Sequence, residues 1–93
     1  MTKAELVTKI SENLGLEKNE VLATVENLMI EIKNSLNTGE NVYLRGFGSF
    51  IVKERAEKTG RNISKNTTIK IPAHHVPLFK PAKVFVDGVK RNN

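Results

Sequence analysis

Cysteine is absent from the 93 residues, so neither a disulfide framework nor a cysteine-bearing zinc site is available to this chain. That fits a reducing compartment. No apolar run approaches the roughly 18 residues that a membrane-spanning helix needs. The opening MTKAELVTKI lacks the apolar core of a secretory signal, so a cytoplasmic protein is expected. Catalytic patterns are missing too. There is no nucleophile–base arrangement and no cluster of carboxylates near a histidine. The glycine-rich GFGSF at 46–50 lacks the Gly-Lys-Ser/Thr ending of a P-loop. An enzyme is not expected, and no cofactor or metal is implied. Repeats and low-complexity linkers are also absent, and the length suits one domain.

Negative charge is scarce in one half only. Residues 1–44 carry four lysines against seven glutamates, net −3, whereas residues 45–93 carry eleven lysines or arginines against three acids, net +8. A basic module on a near-neutral base points to a polyanionic partner, nucleic acid first and an anionic membrane surface second.

The N-terminal half reads as a helical hairpin. Thr2-Lys3-Ala4-Glu5 has the form of a capping box, in which Thr2 accepts from the Glu5 N–H and Glu5 reaches back to the Thr2 N–H. Leu6, Val7, Ile10 and Leu14 follow at helical spacing, and Gly15 suits the left-handed closing position, which predicts a helix over 3–14. A second stripe runs through Val21, Leu22, Val25, Leu28, Met29, Ile32 and Leu36 to a stop at Gly39. A helix-turn-helix reader is disfavoured, because Glu20, Glu26 and Glu31 make the second helix acidic and phosphates would repel it.

From Asn41 the period changes to two. Val42 and Leu44 alternate with Tyr43 and Arg45, and the two glycines of GFGSF suit a tight connection into a strand that carries Phe50 and Val52. Residues 53–71 read as a two-stranded ribbon with its tip near 61–66. Such a ribbon is marginal alone, so an arm ordered by a partner is expected. Pro72, Pro77 and Pro81 then punctuate the chain. His74 and His75 are adjacent, point to opposite sides of a strand, and are expected to be one packed and one exposed residue rather than metal ligands. Phe79 is expected to anchor the core. Pro81 suits the first position of a short C-terminal helix, with Val84, Phe85 and Val89 to bury. With the arm set aside, the domain is small for its supply of apolar residues. A dimer sharing one core resolves this, with Phe47, Phe50, Phe79, Leu28, Ile32 and Leu44 as its expected centre.

GFGSF at 46–50, RAEKTGRN at 55–62 and IPAHHVPLFKPAK at 71–83, preceded by the helical hairpin, make the whole chain resemble the HU/IHF family of bacterial nucleoid-associated proteins, closer to HU. The resemblance implies an α+β fold: an N-terminal helical hairpin, an antiparallel sheet with a protruding β-ribbon arm, a short C-terminal helix, and an intertwined dimer. The corresponding segments are a dimerisation base at 1–40, a saddle sheet at 41–52 and 72–81, the arm at 53–71 and the last helix at 82–91. Two arms would enter the DNA minor groove, each with a wedge at its tip.

The family pattern at the tip is Asn-Pro-x-Thr-Gly, and this chain has Asn62-Ile63-Ser64-Lys65-Asn66. Ile63 thus stands where the family's intercalating proline would be, and isoleucine is among the apolar residues that minor-groove proteins insert. Asn66 and Ala82 stand in place of family glycines. Arg55, Lys58, Arg61, Lys65 and Lys70 are expected to grip phosphates from the arm, with Lys53, Lys80 and Lys83 behind them and Lys3 on flanking DNA. Arg61 and Asn62 would bond the groove floor, whose code is degenerate, so weak sequence preference is expected. The implied partners are double-stranded DNA and a second subunit, identical or paralogous, in the nucleoid. RNA is a secondary possibility, and a membrane is not implied. The alternative function is a sequence-specific bending factor like IHF, serving recombination or transcription.

Overall fold

In a computed structural model the described residues are 1–62, 64, 65 and 67–92. The elements are α1 (Lys3–Leu14), α2 (Lys18–Asn37), β1 (Val42–Leu44), β2 (Gly48–Arg55), β3 (Lys58–Asn62), β4 (Thr67–Ile71), β5 (His74–Pro81) and α3 (Lys83–Asn92). They fall into two compact units, Met1–Ser35 and Leu36–Asn93.

In the helical unit, Thr2 caps α1 by accepting from the Glu5 N–H at 3.2 Å. The Glu5 carboxylate, however, takes the Thr2 hydroxyl at 3.3 Å, not the backbone N–H that a full capping box would engage. Gly15 closes α1 at φ 66, a left-handed conformation that favours glycine. Val7 and Val21 are 5% and 4% exposed and are the buried apolar residues of the unit. Most of the α2 stripe stays open, with Leu28 50% exposed.

The second unit is built on one register. β2 pairs antiparallel with β1 and β5 in the order β1-β2-β5, and β3 pairs with β4. The β2–β5 ladder runs from Gly48↔Pro81 to Arg55↔His74, and the outer ladder from Lys58↔Ile71 to Asn62↔Thr67. Both ladders keep the same pairing offset, so no residue is inserted between them. The continuous 53–71 ribbon expected from the sequence is instead interrupted at Ala56-Glu57 on one strand and Pro72-Ala73 on the other. Pro72 has no N–H to give a ladder and lies in the gap, although Pro77 and Pro81 are accommodated within β5.

Aromatic rings fill the root of this hairpin. Phe50 and Phe79 sit directly opposite each other with ring centroids 4.9 Å apart. Phe47 lies tilted 5.2 Å from Phe79 and stacks 5.4 Å from Phe85 of α3. The turn that delivers Phe47 needs both flanking glycines. Gly46 lies at φ 83. A Cβ on Gly48 would come within 2.6 Å of the Lys80 carbonyl oxygen and of the Phe79 ring. The Phe47 carbonyl then accepts from the Ala82 N–H at 2.9 Å and ties the turn to the start of α3. Pro81 is therefore the last residue of β5, not the first of the helix. Its missing N–H costs nothing there, since the strand ends with it.

Candidate nucleic-acid interface

Alternation along paired strands sorts the side chains of the β1-β2-β5 sheet onto two sides. Val42, Phe50 and Phe79 share one cross-strand row, and Val52 and Pro77 continue the same side. The other side carries Tyr43, Ser49 and Lys80 in one row, then Lys53, then Arg55 opposite His74. The second side also carries Ile51 opposite Leu78 and Val76 opposite Lys53, so one side holds the rings and the other interleaves its cations with apolar residues, and the same two-residue period produces both.

The cationic side continues past the interruption. Because the register is kept, Lys70 (opposite Thr59) and Arg61 (opposite Thr68) fall on the side of Lys53 and Arg55. Glu57 has the same parity, and its carboxylate meets the Lys70 ammonium at 2.9 Å, a contact that alternation predicts. Lys58 falls on the opposite side with Ile69 and Ile71. Every residue of β4 is exposed, so this outer ladder has no core of its own. Ser64 and Lys65 form an exposed turn. Ile63 and Asn66 lie outside the described residues, and for Asn62 only the backbone pairing with Thr67 is described.

The remaining lysines named from the sequence are placed differently. Lys83 opens α3 and faces Asp87 at 3.8 Å, an exposed pair of small energetic worth. Lys3 is paired with Glu26 within the helical unit. Lys53, Arg55, Arg61, Lys65, Lys70 and Lys80 are therefore gathered on one hairpin, whereas Lys3 belongs to the other unit.

Sequence reasoning missed two members of the cationic side. Tyr43 is 70% exposed at the edge strand, with its hydroxyl accepting from the Asn41 amide at 3.1 Å. His74 is exposed, and so is His75, so the expectation of one packed histidine is not met. The β2–β5 ladder ends at the Arg55–His74 pair. The signal that would have found them is the register itself, which cannot be read until the strands are aligned.

A family profile described as "Bacterial DNA-binding protein" matches residues 1–90. The SPbeta prophage-derived DNA-binding protein HU 2 of Bacillus subtilis is 44% identical over 90 residues, covering 97% of this chain and 98% of the relative. The DNA-binding protein HU of Staphylococcus aureus is 43% identical over 90 residues, covering 97% of this chain and all of the relative, 100%. Among solved structures, an Anabaena HU–DNA cocrystal structure superposes with a TM-score of 0.89 at 36% identity, covering 96% of this chain and 97% of that one. HU from Thermotoga maritima superposes with a TM-score of 0.70 at 28% identity, covering 96% and 98%. A cationic hairpin on an aromatic root, matched end to end by these proteins, makes this chain a member of the HU/IHF family of bacterial DNA-binding proteins.

Proposed function

We propose that this protein is an architectural double-stranded DNA-binding protein that enters the minor groove with weak sequence preference and bends and compacts the duplex. The observation that carries the reading is the single register. It extends one cationic side from the aromatic root out along a ladder that has no core of its own. A structure of that kind gains little by folding alone and gains much when phosphates neutralise it. Arg55, Arg61, Lys65 and Lys70 supply the outer grip, Lys58 reaches from the opposite side, and Lys53 and Lys80 extend the grip to the root. Lys83 and Lys3 contact flanking phosphates once their acidic partners exchange. Asn62 and Arg61 bond the groove floor, and Ile63 wedges between base pairs. Bending a short site costs about 1–6 kcal/mol and unstacking adds a few more per wedged step, which the added backbone contacts must exceed.

The working unit of this proposal is an intertwined dimer of two copies. The chain alone leaves Leu28 50% exposed and Phe47 47% exposed, while Ile32, Leu44 and Phe50 are only half-buried. That surface is supplied by the same helices and rings that the family resemblance assigns to a shared core with Phe79. A second copy covers it without any further partner.

The test is a binding titration of duplex DNA, with RNA and anionic vesicles as competitors, at 50 and 200 mM salt. Neutralisation of six to ten phosphates predicts a loss of about 10³–10⁵ in affinity between the two. A shallow salt slope, or preferred binding to RNA or vesicles, overturns the proposal. A footprint confined to one site on mixed genomic DNA would replace the weakly specific compactor by a sequence-specific bending factor.

A further inference from the structure

Two adjacent histidines, His74 and His75, stand between Pro72 and Pro77, and the bending mechanism uses neither. The register separates them. His74 pairs across the ladder with Arg55, and His75 with Glu54. Neighbours on a strand point to opposite sides, so His74 joins the cationic side and His75 the other. The His74 Nδ1 lies 3.0 Å from the Pro72 carbonyl oxygen. A carbonyl only accepts, so Nδ1 holds the proton and donates. In the neutral ring this leaves the lone pair on Nε2. A proton taken up at Nε2 keeps the Pro72 bond and turns an acceptor, which a phosphate oxygen repels, into a charged donor.

The charged groups facing His74 come from both sides of the interruption. Arg55 is directly opposite, and Lys53 is one row closer to the root. Glu57 lies further out, in the interruption, with its carboxylate engaged by Lys70. A phosphate laid along the same side would meet Lys53, Arg55 and the His74 ring together.

We propose that His74 is a proton-gated phosphate contact, whose imidazolium joins Lys53 and Arg55 on the DNA backbone and makes duplex binding tighter as the solution becomes mildly acidic. The proposal rests on the DNA-binding function above. The sign follows from linkage. DNA stabilises the protonated form, so binding takes up a proton. The gain is full once pH is low enough to protonate His74 in the free protein as well, and is lost as pH rises until the bound ring also gives up its proton. For each histidine engaged, the gain is on the order of tenfold between about pH 7.5 and 5.5. The log–log salt slope steepens by about 0.9 per added phosphate contact.

The experiment is fluorescence anisotropy of a labelled duplex with the full chain at constant ionic strength, at about pH 5.5, 6.5 and 7.5. The proteins are the parent, His74→Gln, His74→Lys and His75→Gln. The expected result is tighter binding at low pH for the parent and for His75→Gln. His74→Gln should be nearly flat with pH, and His74→Lys flat and tight throughout. Salt-sensitive binding by the parent that does not change with pH overturns the role of His74 and leaves the DNA-binding function standing. A pH response that survives in His74→Gln and disappears in His75→Gln overturns the assignment as well. No salt-sensitive duplex binding at any pH overturns the functional proposal first, and His74 with it.

Discussion

The two ladders of the hairpin share one register but exist for different reasons. The inner one, β2 with β5, is backed by four phenylalanines whose rings lie 4.9 to 6.3 Å apart in pairs. The outer one, β3 with β4, pairs just as regularly, yet every described residue of β4 is exposed, its apolar members Ile69 and Ile71 by 47% and 43%. Backbone pairing alone does not distinguish them. What lies on the two faces does. The inner ladder couples a cation-bearing side to a ring-bearing one, and contacts among the rings stabilise it. The outer ladder offers charge and little else, so on the proposed function the duplex supplies the stabilisation that a core does not.

Substitutions can break this contrast at either end. Phe79 touches all three other rings and is 39% exposed in the single chain; with a second copy covering it, Phe79→Ala should cost about 3–5 kcal/mol, read as a fall in the denaturant midpoint. An unchanged midpoint would mean that the ring cluster does not hold the root. Gly48→Ala places a methyl against the Lys80 carbonyl, a backbone atom that cannot swing away. About 1–3 kcal/mol of overpacking is expected from the same melt. Arg61→Ala with Lys58→Ala should leave the midpoint within about 0.5 kcal/mol, because both sit on the outer ladder. The pair should lower duplex affinity and flatten the salt slope by about 0.9 for each phosphate contact removed. If that double variant melts like Phe79→Ala, the division between root and arm is wrong. Ile63→Ala is the mildest of the set. It should leave the salt slope in place and reduce only the bend, since the phosphate contacts remain.

Much of this was legible in the sequence. The spacing of Leu6, Val7, Ile10 and Leu14, closed by Gly15, gives α1 with the observed limits. The switch to a period of two at Val42 marks the sheet, and GFGSF marks the turn whose glycines the packing requires. The charge imbalance between residues 1–44 and 45–93 points to a polyanion without reference to any fold. What the sequence hid is set by pairing at a distance. The break at Pro72 could be suspected from proline's missing N–H, but its partner gap at Ala56-Glu57 follows only from the register. The same holds for the side on which each cation falls, for the Glu57–Lys70 pair, and for the separation of His74 from His75. Pro81 misled because its role depends on whether a strand or a helix claims it. The apolar excess was readable as a need for burial, and Phe47 and Leu28 remain the exposed residues that express it.

The central claim is that the cationic hairpin deforms the DNA it grips. It is tested most directly by energy transfer between the two ends of a duplex of roughly 35 base pairs, titrated with the protein at two salt concentrations. A rise in transfer that saturates at low salt and collapses at high salt is predicted. Salt-sensitive binding with no change in transfer would show that the arms coat the duplex without bending it, and would contradict the account.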